Sequence, residues 1–314
     1  MRIQIYGAGI AGTYLFHLLS KEGFDVSVFD KRKTPDCRCA WGIIYREAKK
    51  LYKLVDLNLD DYIFLKPKYV VANGIHLKNK GIRIFDKKRL LEDLWESLEF
   101  GEKTSDLVVD ATGSARAYLP PIPNDRILPT LQTIEEHDVE ENIYIHATRR
   151  GYAWAFPLGN GKWHIGAGYV DVKGALELIE KLRESYGFEK TDELCRCSAK
   201  IRLVQPSKCR PFISNNIVGV GEAIGCVSGA GEGNAPALHS AKILFECIKN
   251  DELERYEQRI LTELGWIEVE QKFIDGIMNG KFLSVVRFLP KIVSVENKRT
   301  VDHSVLEIKK IMKL

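Results

Sequence analysis

The 314-residue sequence predicts an α/β fold: a discontinuous Rossmann-like domain with an inserted antiparallel sheet and a helical C-terminal segment. Two observations lead to this prediction. A strand, a glycine-rich turn, a helix and a second strand follow one another over the first 30 residues, and a strand followed by a glycine-rich turn and a helix returns after residue 215. Between them lie segments in which apolar and polar residues alternate, the period-two pattern typical of antiparallel strands.

The first 30 residues have the element order of a dinucleotide-binding βαβ unit. Residues 2–6 predict a short buried strand, and apolar residues at helical spacing follow from residue 10. A second strand over residues 26–29 ends at Asp30. An acidic residue at this point is placed to accept hydrogen bonds from an adenosine ribose.

The turn between the first strand and the helix is a GxGxxG motif, Gly7-Ala8-Gly9-Ile10-Ala11-Gly12. Gly7 permits the tight turn, Gly9 lets backbone N–H groups approach a pyrophosphate, and Gly12 lets the helix pack closely on the strand. The helix N-terminus adds its partial positive charge. The motif therefore predicts a dinucleotide site, although it does not by itself distinguish FAD from NAD(P).

The domain that carries this site is predicted to be built from separated segments. Residues 106–113 form another buried strand that ends in a small-residue turn, and Asp86 is predicted to cap the helix before it. The dinucleotide-binding domain is assigned to residues 1–60, 86–125 and 210–250. The antiparallel-sheet substrate domain is assigned to residues 61–85 and 126–209, and a helical segment to residues 251–314.

Composition and charge limit the function classes. A net charge of +3 is too small to indicate nucleic-acid binding, and 45% hydrophobic with 28% charged residues are typical of a globular protein. No run of about 18 uncharged apolar residues occurs, and Met1 leads directly into a strand, so neither a membrane span nor a signal peptide is predicted. We therefore expect a cytoplasmic protein.

The C-terminal segment leaves two interpretations open. From residue 281 to residue 314, Lys and Arg outnumber Asp and Glu by eight to three. The segment is either a solvated helical cap over the core, or a tail that rests peripherally on an anionic membrane or covers a lipid.

Seven cysteines include two Cys-Arg-Cys triplets, at residues 37–39 and 195–197. An odd number of cysteines in a long chain does not indicate a secreted disulfide framework, and the spacing is not that of a zinc site. We expect reduced thiols and no metal. A disulfide that links the two triplets is the alternative.

Three segments resemble the FAD-binding segments of flavoproteins with the p-hydroxybenzoate-hydroxylase-type fold: the GxGxxG motif with Asp30, residues 110–113 (Asp-Ala-Thr-Gly) and residues 221–223 (Gly-Glu-Ala). Residues 152–157 (Tyr-Ala-Trp-Ala-Phe-Pro), followed by a GxG at residues 166–168, resemble the YxWxFP…GxG signature of the geranylgeranyl reductase family. Residues 39–42 (Cys-Ala-Trp-Gly) resemble its CxxG element, and residues 231–234 its glycine-rich turn near the isoalloxazine.

This resemblance implies an extended FAD with its flavin ring above a cavity in the sheet domain. The residues expected at the FAD are Gly7, Gly9, Ala11, Gly12, Asp30, Cys39, Ala40, Gly42, Lys87, Ala111, Gly113, Gly221, Glu222, Gly231, Gly233 and Asn234. Two features depart from the family. Glu222 stands where an aspartate is usual, and the chain is a shortened member without the hairpin between Leu94 and Asp106.

The candidate catalytic residues are Cys39, Tyr152, Trp154 and Phe156. Strand alternation puts the three aromatic residues on one face, where they are either ordinary core or the wall of the cavity, and the following Pro157 and GxG favour the wall. Cys39 is interpreted either as a small packing residue or as a thiol that shapes the cavity or gives a proton.

The leading hypothesis is an FAD-dependent reductase of isolated C=C bonds in a polyprenyl, isoprenoid-type lipid, with hydride from flavin N5. No second nucleotide-binding fold is predicted, so the external reductant is expected to be NAD(P)H or a ferredoxin-like electron-donor protein. One alternative is a flavin-dependent monooxygenase acting on an aromatic or apolar substrate. Another is a non-catalytic flavin- or lipid-binding protein.

Overall fold

The computed structural model describes residues 1–35 and 40–311. Its first half contains, in chain order, β1 (Arg2–Tyr6), α1 (Ile10–Lys21), β2 (Asp25–Phe29), β3 (Gly42–Ile44), α2 (Tyr45–Tyr52), β4 (Ile63–Leu65), β5 (Tyr69–Ala72), β6 (Ile75–Asn79), β7 (Ile82–Phe85), α3 (Lys87–Trp95), β8 (Leu107–Asp110), β9 (Ile127–Glu136) and β10 (Ile143–Ala147). The second half contains β11 (Gly151–Gly159), β12 (Lys162–Tyr169), α4 (Val172–Tyr186), β13 (Cys195–Arg202), β14 (Ile213–Ser214), β15 (Ile217–Gly219), α5 (Asn234–Lys249), α6 (Tyr256–Glu263), α7 (Gly265–Met278), α8 (Phe282–Arg299), β16 (Val301–Asp302) and α9 (Val305–Ile311).

The Rossmann-like sheet has the strand order β14-β15-β8-β1-β2 and is parallel except for β14. Its central strands are fully covered, with Ile5 and Val109 at 0% exposure, because helices pack on the sheet. Asp86 caps α3 by accepting a hydrogen bond from the Arg89 amide, as predicted. The predicted α/β fold class is confirmed.

The second sheet has eight strands in the order β13-β9-β12-β11-β10-β5-β6-β16 and is antiparallel except for the β10–β5 pair. Helix α4 covers one face of it, where Ala153, Ala155 and Trp163 are buried. Because side chains alternate along a strand, Tyr152, Trp154 and Phe156 point to the opposite face. Residues 61–85 divide between this sheet and a smaller one, β3-β7-β4.

The C-terminal segment is mainly helical but is not helical throughout. After α8 the chain forms β16, which pairs with β6 and so joins the edge of the large sheet. The Thr300 carbonyl accepts hydrogen bonds from the Lys80 and Gly81 amides, which fixes this junction. No described helix is long and apolar enough to cross a membrane. Leu283 and Leu306 are exposed in this segment, and its contact with a membrane stays a prediction.

Candidate functional site

One cavity of about 670 Å³ lies between the Rossmann-like sheet and the large antiparallel sheet. It brings together residues that sequence reasoning placed at a cofactor, although they are as far apart in the chain as Gly9 and Asn234. The predicted cofactor residues in its lining are Gly9, Ala11, Ala40, Gly42, Lys87, Ala111, Gly113, Glu222, Gly231, Gly233 and Asn234. All three predicted aromatic residues also line it, whereas Cys39 lies outside the described residues.

The glycines of the first turn have different surroundings. Gly7 has a φ of +103°, and a Cβ on it would lie 2.4 Å from the Ala111 carbonyl oxygen. A Cβ on Gly12 would lie 1.9 Å from the Gly7 carbonyl oxygen, so α1 can sit this close to β1 only with glycine there. A Cβ on Gly9 would have no atom within 4 Å. The absence of a side chain at Gly7 and Gly12 therefore allows close packing within the turn, whereas Gly9 faces open space in the cavity.

Two helices begin at this cavity without a side-chain cap from their N-cap residue. Gly9 precedes α1 and Gly233 precedes α5, and neither has a side chain that could accept the first free N–H groups. At α5 the Ala235 amide donates to Glu232 Oε1 at 2.7 Å, and the other first amides have no side-chain acceptor from the N-cap residue. The start of α5 is joined to β3, because Asn234 Nδ2 donates a hydrogen bond of 3.0 Å to the Gly42 carbonyl. A Cβ on Gly221 would lie 3.1 Å from the Ala11 Cβ, so Gly221 packs behind the cavity wall. Helix N-termini of this kind are anion sites.

Asp30 is engaged by protein donors. Its Oδ2 accepts from the Ala8 amide at 2.8 Å and from Arg32 Nη2 at 2.6 Å, and its Oδ1 accepts from the Arg32 amide and Nε at 2.9 Å. Burial acts to raise the pKa of Asp30, but these hydrogen bonds outweigh it and lower the pKa. Asp30 does not line the cavity, and a ribose bound to it would have to replace Arg32.

The aromatic residues of β11 contact the turn before α5 and the start of β3. A Cβ on Gly231 would lie 1.9 Å from the Tyr152 hydroxyl, and a Cβ on Gly42 would lie 2.7 Å from the Phe156 ring. Trp154 Nε1 donates to Gln132 Oε1 at 3.1 Å, which fixes the indole in the wall. Burial raises the pKa of the Tyr152 phenol, so this group stays protonated near neutral pH.

Glu222 is a buried carboxyl in the cavity wall. Its Oε1 accepts a hydrogen bond of 2.6 Å from the Arg202 amide. Burial raises the pKa of Glu222 to about 7, against the lowering effects of the Arg202 hydrogen bond and charge and of the Lys87 charge. Burial therefore leaves more of this carboxyl protonated near neutral pH than an exposed glutamate would be.

Sequence reasoning missed several residues in the cavity wall. Gln132 positions Trp154, while Glu296 and Arg299 reach the cavity from α8. Gln132 lies in a strand of mixed polar and apolar residues, so no local pattern marks it, and none marks the α8 residues. Two histidines of the large sheet also lie in strands: His164 is buried, with its ring 5.0 Å from that of Trp41, and His146 is half-buried beside Ser185.

The chain resembles known proteins in sequence and in structure. Residues 5–40 match the family described as an NAD(P)-binding Rossmann-like domain. An uncharacterized protein of Methanocaldococcus jannaschii is 27% identical over 350 aligned positions, which cover 92% of this chain and 94% of the relative. A flavoprotein/dehydrogenase from Cytophaga hutchinsonii superposes with a TM-score of 0.68 at 15% identity, over 90% of this chain and 86% of that one.

Two further solved structures have the same architecture. PqsL of Pseudomonas aeruginosa, described as a probable FAD-dependent monooxygenase, gives a TM-score of 0.62 at 15% identity, over 88% of this chain and 96% of that one. The chain has the fold of flavoprotein oxidoreductases. A tryptophan 6-halogenase of Streptomyces toxytricini shares this flavoprotein fold, with a TM-score of 0.65 at 15% identity, over 87% of this chain and 77% of that one.

Proposed function

We propose that the chain is an FAD-dependent oxidoreductase that reduces isolated C=C bonds of a polyprenyl, geranylgeranyl-type lipid or precursor. The observation that carries the FAD assignment is the pair of helix N-termini, at Gly9 and Gly233, that open into one cavity. The first suits a pyrophosphate, and the second suits the flavin edge on which negative charge develops upon reduction. The open space at Gly9 fits a ligand that approaches the backbone closely.

The chain's own residues supply binding, orientation and a dry environment. Bound FAD would supply the two-electron reducing equivalent, which comes in turn from NAD(P)H or a ferredoxin-like carrier. An isolated alkene offers little charge for the protein to stabilise, so proximity and exclusion of water must lower the barrier. Tyr152, Trp154 and Phe156 provide an aromatic wall for an apolar chain, and Gln132 holds Trp154 in place.

The outer end of the cavity suits an anionic head group. Arg149 and Arg150 are exposed where β10 leads into β11, and both line the cavity together with Lys200. The Arg150 guanidinium lies 5.7 Å from the centre of the Tyr169 ring, a cation–π distance that orients it. A ligand with an apolar chain and a phosphate or carboxylate head group would match this site. The chain would contact the aromatic wall, and the head group would lie near the basic side chains at the mouth.

FAD titration followed by single turnover tests this function. We expect the purified protein to take up added FAD and to show bound-flavin absorption. After anaerobic reduction, geranylgeranyl diphosphate should reoxidise the flavin and gain two hydrogens per bond reduced, as measured by mass spectrometry. Protein that binds no FAD would contradict the cofactor assignment, and reduced flavin that persists in the presence of this lipid would contradict the choice of substrate.

Monooxygenation is the second candidate, and the structural similarity to PqsL favours it. Reduced protein mixed with oxygen separates the two functions. A monooxygenase would form a peroxyflavin intermediate and insert one oxygen atom into an aromatic or apolar substrate. A reductase should reoxidise more slowly with oxygen than with the alkene and give a product without added oxygen.

Trp154 and Trp163 provide a matched test of the cavity wall. Trp163 is fully buried on the other side of the sheet, and its Nε1 donates to the His137 carbonyl. Trp163→Ala should lower the free energy of unfolding by about 3–5 kcal/mol. Trp154→Ala opens into an existing cavity, so it should cost less stability but lower turnover about 100-fold. Thermal unfolding, FAD titration and turnover distinguish these effects. Normal turnover in the Trp154→Ala variant would show that Trp154 is an ordinary core residue.

A further inference from the structure

A second group of functional side chains lies at the α5 end of the cavity, around Arg299. We name it the carboxyl cluster, and it consists of Glu47 on α2, Glu232 in the glycine-rich turn, Glu270 on α7 and Glu296 on α8. Arg299 Nε lies 2.8 Å from Glu47 Oε1, and its other nitrogens lie 3.7 Å from Glu232 Oε2 and from Glu270 Oε1. The guanidinium also lies 3.5 Å over the Trp266 ring, which holds it in place.

The cations around this cluster do not balance four ionised carboxylates. Arg299 is the permanent charge in contact with the cluster, and the described residues contain no group of side chains that could hold a metal ion. Two histidines face the cluster. His239 Nε2 lies 3.6 Å from Glu47 Oε2, and burial lowers the pKa of His303, which faces Glu296. The imbalance is therefore relieved by protons on the carboxyls.

Of the residues in the carboxyl cluster, Glu47 makes the shortest contact with the Arg299 guanidinium. Burial acts to raise the pKa of Glu47, but His239 and Arg299 outweigh it and lower the pKa to about 2. Glu47 is consequently ionised at all ordinary pH values. Glu232 and Glu270 lie farther from the same guanidinium, at 3.7 Å, so its positive charge stabilises their ionised forms less than that of Glu47.

Glu270 is the most deeply buried member, with 4% of the residue exposed. Its Oε2 accepts from the Gly229 amide at 2.9 Å, but its Oε1 has no hydrogen-bond donor within reach among residues 1–35 and 40–311. The Glu296 carboxyl faces it. Two carboxyls in contact inside a protein share a proton, because they cannot both ionise there. Burial, and then the Glu296 charge, raise the pKa of Glu270 well above its usual value.

Glu232, at the cavity surface, resembles Glu270 because one of its carboxyl oxygens has a hydrogen-bond donor among the described residues and the other does not. Its Oε1 accepts from the Ala235 amide at 2.7 Å, while its buried Oε2 has no hydrogen-bond donor in the described parts of the chain. Burial raises the pKa of Glu232 to about 7 despite the Arg299 charge. Glu232, Glu296 and Arg299 line the cavity, and Glu270 lies directly behind them.

We propose that Glu232 and Glu270 hold protons at neutral pH and supply the proton that the cavity reaction consumes, Glu232 directly and Glu270 through the neighbouring Glu296 carboxyl. This rests on the proposed alkene reduction. There, a hydride forms one new C–H bond, and a proton from a carboxyl O–H forms the other as the C=C π bond breaks. The two electrons come from flavin reduced by NAD(P)H or a ferredoxin-like carrier, and the carboxylate that remains is stabilised by Arg299 and reprotonated from solvent. Glu232 and Glu296 face the substrate, and Glu270 is a positioning residue.

Infrared spectroscopy of the FAD-free protein tests proton retention independently of activity. At pH 7 the wild-type protein should show the C=O stretch of protonated carboxylic acid. Glu270→Gln and Glu232→Gln should each remove part of this band. Glu246→Gln is the matched control, because Lys242 and Arg259 hydrogen-bond that carboxylate on α5 and lower its pKa below the usual value despite burial. A band at pH 7 that neither Glu270→Gln nor Glu232→Gln reduces, as buried Glu222 alone would give, would overturn the proposal, and so would the absence of any band.

Turnover of geranylgeranyl diphosphate with reduced FAD tests proton donation. We expect Glu232→Gln and Glu296→Gln to lower kcat about 100-fold with FAD affinity retained. Glu270→Gln should move the pH profile of kcat, and Glu246→Gln should leave it unchanged. Wild-type pH profiles and kcat values in all three cluster variants would overturn the proposal. A wild-type protein that shows the infrared band but reduces no alkene would contradict the proposed function and not proton retention.

Discussion

Gly9→Ala is expected to leave the folded protein intact and to weaken FAD binding by at least about 10-fold. Gly9 has a φ of −82°, which alanine adopts without strain, and its added Cβ would meet no protein atom within 4 Å. The free energy of unfolding should therefore stay within about 0.5 kcal/mol of the wild-type value. The methyl group would project from the N-terminus of α1 into the cavity, where the pyrophosphate oxygens must approach backbone N–H groups.

Gly12→Ala is the matched control because it fails for a different reason. Its Cβ would overlap the Gly7 carbonyl oxygen at 1.9 Å, so α1 would have to move away from β1. We expect a loss of about 1–3 kcal/mol in the free energy of unfolding even without cofactor. Denaturant unfolding of the FAD-free variants and calorimetric titration with FAD separate the two cases. A Gly9→Ala variant with wild-type FAD affinity would show that the pyrophosphate does not lie at this turn.

The first 30 residues could be predicted because their structure depends on local sequence. Strand and helix periodicity, together with the positive φ of Gly7 and the close approach of Gly12 to the Gly7 carbonyl, indicate the turn from its own residues, although Ala111 also packs against it. The partners of Asp30 could not be predicted in the same way. Arg32 is only two residues away, yet whether it points back to the carboxylate depends on side-chain packing.

The aromatic strand shows what alternation can and cannot predict. It places Tyr152, Trp154 and Phe156 on one face, and that much depends only on strand geometry. Which face borders the cavity is decided by tertiary structure, because α4 covers the other side and Gly231 approaches Tyr152 from the turn before α5. The family resemblance, rather than periodicity, indicated the side that the structure has.

The carboxyl cluster could not be predicted from the sequence. The basic C-terminal segment was interpreted as either a solvated cap or a membrane tail, and most of its charges fit a polar helix surface. Arg299 differs, with a side chain only 10% exposed, because it contacts Glu47, which lies 252 residues away. Such burial depends on long-range packing, so no local charge pattern reveals it.

The second large effect is expected in the pH dependence of stability, through Glu222. In the unfolded chain its carboxyl has an ordinary pKa near 4.5, whereas burial raises the pKa to about 7 in the folded protein. Between these values the folded state keeps a proton that the unfolded state has released. Glu222 therefore contributes stability that is fully present below about pH 4.5 and is lost as the pH rises through about 7. The loss is about 3 kcal/mol.

Glu222→Gln should remove this part of the pH dependence, because the amide cannot ionise and its oxygen can still accept from the Arg202 amide. Above pH 7 the variant should be more stable than wild type, and the wild-type slope between pH 5 and 7 should decrease without vanishing, since Glu232 titrates in the same range. Glu47→Gln should instead lower stability at pH 7 and leave the Glu222 part of that slope in place, because the pKa of Glu47 is already lowered to about 2. Guanidinium unfolding at several pH values measures both.

FAD should change the titration of Glu222 if ribityl hydroxyl groups bind there, as the family resemblance implies. Hydroxyl donors hydrogen-bond to the ionised carboxylate and so favour it, which lowers the pKa. Saturating FAD should therefore move the pH at which wild-type stability is lost to a lower value. The Glu222→Gln variant should show no such shift. The Gly9→Ala variant should show the shift only at higher FAD concentrations. If bound FAD leaves the pH dependence of stability unchanged, the ribityl chain does not contact Glu222. That result would not affect the assignment of the pyrophosphate to the N-terminus of α1, which the Gly9→Ala variant tests separately.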